Sequence, residues 1–333
     1  MNAARIAVVS FLLFTPQLAS AQEPTVLKHD GWVAAVAFAP DGKTLASAGA
    51  DNVVRLWEVG TWKPKGVLKG HTDCVCAISI GRASDFLKGG PLILATGSFD
   101  GTVKVWDVEK VKEIKIEVDP FKGYKGVVTS LVAHFGWPGV LVATGSPDGA
   151  VRLWMEKTPT PQIIHQHKSW VNSVSFCSGK ALASGSSDGT VCIIVPEEDK
   201  QGKETFKATV LEGGAGEVRC VAFSPDGKTL AAGNRYHTVR VWDVASRKEI
   251  KTLTGHASDV WAIAFSPDGK TLATADTDWK KPSKIKLWDT GTWKERGSLP
   301  MPGEILCLAY SPKGDWLAAG SWDRTVRVFA IGK

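Results

Sequence analysis

The stretch Phe-Ser-Pro-Asp-Gly-Lys-Thr-Leu-Ala stands at residues 223–231 and again, letter for letter, at 265–273. It returns at 38–46 with Ala39 in place of Ser. In each copy an apolar strand ends at Phe38, Phe223 or Phe265. Pro then fixes φ for the first turn position, Asp favours turn initiation, and Gly takes the positive φ of a tight turn. Lys-Thr-Leu-Ala starts the returning strand. Three copies of one hairpin predict an internal repeat, and a repeat governs every further inference about fold.

The apolar residues that open successive units are Val33, Val75, Val128, Val171, Val218, Val260 and Ile305, spaced 42 to 53 residues apart. Each unit runs apolar strand, turn, a second strand of the "LASAG" kind, an Asp-centred turn, a third strand of the "VRLW" kind, and a weaker fourth strand. Seven such units predict an all-β chain folded as a single seven-bladed β-propeller, with four antiparallel strands per blade. The length differences fall in connections, at 81–91, 196–208 and 276–284, where added residues bring no new burial demand. The last unit stops after its third strand, at 325–333, while residues 24–28 supply a spare strand before the first unit. That N-terminal strand is expected to pair with the segment around Val326–Phe329. Pairing there completes blade seven and removes an exposed edge that would invite aggregation.

The first 21 residues differ from the rest. Arg5, the apolar run Ile6–Phe14 and Ala19-Ser20-Ala21 follow the order of a secretory signal peptide cleaved after Ala21. The run is too short to cross a bilayer, which takes roughly 20 residues. Residues 22–333 then form the propeller, and export to the periplasm or beyond is the expectation. The formal charge is +6, but Lys and Arg are dispersed and form no stripe, so nucleic-acid binding is not indicated. The six cysteines show neither a CxxC pair nor metal-ligand spacing. Most fall inside expected strands, where buried thiols are ordinary.

Several motifs carry a more specific likeness. Gly-His occurs at Gly70-His71 and Gly255-His256, and Trp-Asp at Trp106-Asp107, Trp242-Asp243 and Trp288-Asp289. Turns such as "GSFDGTVKVWD" at 97–107 reinforce them. Over residues 25–333 the chain resembles the WD-repeat, or beta-transducin, family. The resemblance implies a hydrogen-bonded chain of four residues in each blade: a His before the first strand, a Ser or Thr in the second, an Asp in the next turn and a Trp in the third. Carried over, the complete sets are His29, Ser47, Asp51 and Trp57 in blade one; His71, Thr96, Asp100 and Trp106 in blade two; and His256, Thr274, Asp278 and Trp288 in blade six. Blade three has Tyr124 for His and keeps Thr144, Asp148 and Trp154. Blade four keeps His167, Ser184 and Asp188 but has Ile194 for Trp. Blade five keeps only Trp242, with Gly214, Ala232 and Tyr236 elsewhere. Blade seven keeps only Asp323. Ser, His and Asp together suggest a hydrolase triad, but a triad is needed once, whereas this set recurs and ends on an indole N–H that can only donate. Repetition argues for structure.

The resemblance also implies that partners meet the face carrying the Asp turns. On that rim the sequence places Trp32, Phe99, Trp170, Trp261 and Trp322, with the acids Glu217, Asp259 and Glu304 at one position of three consecutive blades and Arg219 among them. Aromatics mixed with charge suit an interaction surface. The expected function is therefore a non-catalytic platform for a protein or peptide, with a cationic segment meeting the acids, no cofactor, and a monomeric propeller. The alternative is a propeller enzyme, such as a metal-dependent hydrolase or lactonase with its site at the channel mouth. Stacked sheets lie ~10 Å apart, so acids on successive blades do not readily converge on one ion.

Overall fold

A computed structural model describes residues 23–82, 90–114, 126–136, 139–155, 160–177, 181–198, 204–212, 216–278 and 282–332. The expected leader at 1–21 and the positions of Tyr124 and Gly214 lie outside them. Every regular element among the described residues is a strand, and the strands form seven four-stranded antiparallel sheets. Each sheet runs in chain order outward from the axis, except the seam, where Thr25–Lys28 is the outermost strand beside Thr325–Ala330. The register there pairs Thr25 with Val328 and Lys28 with Thr325. The seam closes as the two chain ends foretold.

The innermost strands are Val33–Phe38, Val75–Arg82, Ser130–Gly136, Val171–Cys177, Val218–Phe223, Asp259–Phe265 and Ile305–Tyr310. Each packs against the next and the last returns to the first, so the ring is closed. Blade three differs from the sequence reading: its ladder begins at Ser130, two residues after Val128. The Val128 side chain is nonetheless fully buried. The Pro-Asp-Gly turns behave as their residues require, with φ of 69° at Gly42 and 71° at both Gly227 and Gly269.

The core is seven wedges rather than one centre. Each apolar cluster draws on two neighbouring blades, and the wedge between blades seven and one includes Leu27 of the N-terminal strand. A recurring knob and hole sets the blade spacing. A Cβ at Gly185 would lie 2.6 Å from Val218 Cγ1, and one at Gly97 would lie 2.5 Å from Val128 Cγ1. The glycine in "ATGS" and "ASGS" is thus the socket for the next blade's opening valine. Dense packing of this kind penalises even one added methyl group.

Candidate functional site

Antiparallel blades send alternate connections to opposite ends of the ring. The Pro-Asp-Gly hairpins lie at one end. The Asp turns and the connections into the first strands lie at the other, and this second end holds the rim residues.

Four-residue chains fasten that end. In blade two, Trp106 Nε1–H donates to Thr96 Oγ1 over 2.9 Å, His71 Nε2 lies 2.7 Å from the same hydroxyl, and His71 Nδ1 lies 2.8 Å from Asp100 Oδ2. The indole can only donate, so the hydroxyl accepts from it and donates to Nε2. The imidazole then carries its proton on Nδ1 and donates to the carboxylate. Blade one repeats this with Trp57, Ser47, His29 and Asp51. Burial alone would raise the Asp100 carboxyl. Donors from Thr102, the Thr72 backbone and His71 outweigh it and hold the group at about 2. Burial pushes the His71 imidazole down, against the pull of Asp100.

Blade six corrects the sequence reading. Thr274 joins Trp288 and His256 as expected, at 2.7 Å each. The carboxylate on His256 Nδ1, however, is Asp276 at 3.2 Å, and Asp278 is not its partner. Counting four residues on from the hydroxyl, as from Ser47 to Asp51, assumes a turn of ordinary length. Here the turn is enlarged, and the acid sits on the strand two residues after Thr274, on the same face because side chains alternate. Blade five also departs from its alignment. Asn234, not Tyr236, organises the turn, accepting from Tyr236 N and Thr238 Oγ1 at 3.0 Å each. The Tyr236 ring lies over Gly216 (φ +95°), where a Cβ would fall 2.3 Å from it.

Two backbone devices aim side chains at the rim. First, six of the seven innermost strands carry a register shift just after the opening residue, as between Val218 and Cys220. A bulge re-aims its extra residue, and Ala34, Cys76, Asn172, Arg219, Trp261 and Leu306 all line the central channel, a cavity of about 450 Å³. Three residues at this position bind the next blade's opening carbonyl: Cys76 to Val128 O at 2.7 Å, Thr129 to Val171 O at 2.5 Å and Asn172 to Val218 O at 2.8 Å. Blades two to four therefore spend these residues on the ring. Arg219, Trp261, Leu306 and Ala34 make no such bond. Second, in blades one, two, four, five and seven the residue before the turn that follows the second strand donates its N–H to the carbonyl of the residue before the opening one, as Arg235 N to Glu217 O (2.9 Å) and Trp322 N to Glu304 O (3.0 Å). These bonds set Arg235 beside Glu217, and Trp322 beside Glu304.

The rim residues fall into two groups. Trp32 and Trp322 stack across the seam, 5.0 Å apart and 11° from parallel, a contact worth about 0.5–1.5 kcal/mol beyond burial. Arg219 lies 4.7 Å over the Trp261 ring. Its Nη1 is 2.8 Å from Glu217, which Arg235 also reaches at 2.9 Å, and its Nη2 is 3.9 Å from Asp259. His237 is the other neighbour of Asp259, again at 3.9 Å. Burial raises the Asp259 carboxyl, against Arg219, Arg235 and His237. The acidic arc is thus not uniform. Glu217 is doubly paired, while Asp259 meets its cations only at the limit of contact. Phe99, Trp170, Tyr236 and Trp322 are 39%, 53%, 61% and 44% exposed. These are the exposed large aromatics among the described residues, and all four stand on this end. The exposed large aliphatics, Val26, Val67, Ile163, Val210 and Ile250, all lie on outermost strands. Tyr236 and His237 were not among the expected rim residues; the signal for them was the loss of Asp from the blade-five turn.

The WD domain, G-beta repeat family matches residues 22–58, 62–107, 116–155 and 293–329, and the Vps8 beta-propeller family matches 155–278. The chain is 26% identical over 336 residues to a guanine nucleotide-binding protein subunit beta of Oryza sativa, covering 94% of this chain and 73% of that one. It is 26% identical over 238 residues to protein tipD of Dictyostelium discoideum, spanning 70% of this chain but 36% of that protein's length. With periodic tryptophan protein 2 of Arabidopsis thaliana it shares 30% identity over 227 residues, 66% of this chain and 23% of the relative.

Proposed function

Because this chain is a WD-repeat protein with a seven-bladed propeller, we propose that it is a non-catalytic platform binding a protein or peptide on the channel end. The observation that carries the reading is the segregation of exposed aromatics to that end. Exposed Trp and Tyr give large, rigid contact area, which is what interface hot spots use. WD-repeat relatives support a role in protein interaction. A metal-dependent hydrolase would need the mouth carboxylates turned to a common point, whereas Glu217 faces Arg219 and Arg235. Among the described residues, His, Cys, Asp and Glu form no group of three able to hold a metal.

The finer parts of the proposal are a cationic partner segment, a monomeric propeller and export. Asp259 and Glu304, beside Trp261 and the Trp32–Trp322 stack, favour a Lys or Arg side chain by charge and by cation–π contact, worth ~0.5–2 kcal/mol each. Export rests on Arg5, Ile6–Phe14 and Ala19-Ser20-Ala21, and places the mature N-terminus at Gln22. Sequencing the N-terminus of protein recovered from its native compartment tests that part. For binding, a partner captured from the same fraction is titrated against Trp170→Ala/Trp322→Ala and against Ile163→Ala/Val210→Ala. The first pair is expected to weaken binding at least tenfold and the second to leave it unchanged. The reverse pattern overturns the choice of face.

A further inference from the structure

The guanidinium of Arg219 occupies what would otherwise be a receptor for a guanidinium. An indole face lies 4.7 Å below it, and the carboxylates of Glu217 and Asp259 flank it at 2.8 and 3.9 Å. We propose that Arg219 is a built-in stand-in for the partner's cation, which a Lys or Arg of the partner displaces on docking. The inference rests on the reading that a cationic segment binds this end, and adds that the free protein holds the subsite closed with its own side chain.

Three features make Arg219 the movable member. Glu217 keeps Arg235 at 2.9 Å when Arg219 leaves, and Asp259 keeps His237 at 3.9 Å while the incoming cation takes the place of Arg219. The Nε–H of Arg219 is buried without an acceptor, so its present position leaves one donor unsatisfied. Its Asp259 contact is long, and an incoming cation can approach that carboxylate more closely. Arg219 also differs from the residues at its position in blades two to four. Cys76, Thr129 and Asn172 hold the next blade's carbonyl. The junction after blade five is instead held by Cys220, whose Sγ lies 3.6 Å from Val260 O, and by Val260 packed on Gly233. Arg219 can therefore swing into the channel it lines without unlatching the ring.

The proposal inverts the usual sign of a binding-site mutation. The probes are a fluorescent decapeptide of alternating Arg and Gly and its Glu counterpart, titrated at low salt against the full chain by anisotropy. Removing an occupant that leaves the site open about a tenth of the time raises apparent affinity about tenfold. Arg219→Ala and Arg219→Gln are expected to bind the Arg peptide about tenfold more tightly than wild type, and Asp259→Asn added to either is expected to abolish the gain. Urea midpoints show which variant is folded, and one folded variant suffices. Unchanged or weaker Arg-peptide binding by a folded variant overturns the proposal and leaves the cationic-segment reading standing. So does a gain that survives Asp259→Asn. Loss of Glu-peptide binding makes Arg219 a direct contact for an anion and also overturns it. If wild type and variants alike ignore the Arg peptide, both the proposal and the reading beneath it fall.

Discussion

Asp276 is the position where structure and repeat pattern disagree, and it gives the cleanest test of the strapping chains. Its carboxylate accepts from His256 Nδ1 at 3.2 Å, Ala257 N at 3.0 Å and Lys284 N at 3.2 Å. Asp276→Ala removes all three bonds, but the costs differ. Ala257 and Lys284 are exposed, so water can take over their backbone N–H groups. His256 is buried, and its Nδ1–H, fixed by the Thr274 hydroxyl on the other nitrogen, has no substitute. One stranded buried donor costs about 1–3 kcal/mol, so ~2 kcal/mol is expected. For a chain of this size that lowers the melting midpoint by roughly 2–5 °C. Asp276→Asn keeps an acceptor and is expected to recover about half of the loss, since only the charge assistance goes. Asp278→Ala leaves the His256 carboxylate in place and is expected to cost clearly less than Asp276→Ala. Thermal and urea unfolding of the three variants decide it. An equal or larger loss from Asp278→Ala would return the strapping role to Asp278.

Acid should erode stability in two stages. The His71 and His167 imidazoles are pushed down by burial, so below about pH 6.5 the unfolded chain takes up protons that the folded chain refuses, and stability falls. The Asp51, Asp100 and Asp188 carboxyls sit at about 2, so their contribution is whole above about pH 4 and is lost as pH falls toward 2; urea midpoints that stay level from pH 7 to pH 3 would contradict both. At the seam, deleting residues 23–28 bares the edge of Thr325–Ala330 and uncovers the wedge that Leu27 fills. Lower stability and light scattering from edge-to-edge association are expected, and a truncated chain as soluble and stable as the full one would refute the role given to that strand.

What could be read from the residues alone was whatever repeats. Phe-Ser-Pro-Asp-Gly-Lys states a hairpin in local terms, and a spare strand at one end with a missing one at the other states the closure. Asp276 was not legible, because a fixed count from Thr274 cannot register an enlarged turn. The pairing of Glu217 with both Arg219 and Arg235 was not legible either. The repeat pattern puts Glu217 and Arg219 on one rim, but the bulge after Val218 and the Arg235 N to Glu217 O bond set which charges touch. Neither device leaves a mark in composition or spacing. The serine latches between inner strands, such as Ser173 Oγ accepting from Val221 N at 3.1 Å, likewise emerge only when two blades are side by side.

Blades five and seven, which depart furthest from the strapping pattern, supply most of the charged side chains of the rim, whereas its aromatics come from strapped blades as well. Blade two, with a complete chain, also spends Cys76 on its neighbour's carbonyl, and blade four, which lacks only the Trp, spends Asn172 in the same way. Blade five has neither the Ser or Thr nor the turn Asp, and it supplies Arg219, Arg235, Tyr236 and His237. Blade seven lacks the His, the hydroxyl residue and the Trp, and it supplies Glu304 and Trp322. A residue that must satisfy a buried donor is not free to meet a partner, so a position whose internal bond has been given up, as at Arg219 and Tyr236, becomes available to one. Rule-breaking positions in a locally consistent fold mark function for this reason. Stability then has to come from elsewhere, and here the valine-into-glycine packing of Val218 on Gly185 and Val260 on Gly233 holds blade five on both sides without the missing hydrogen bonds.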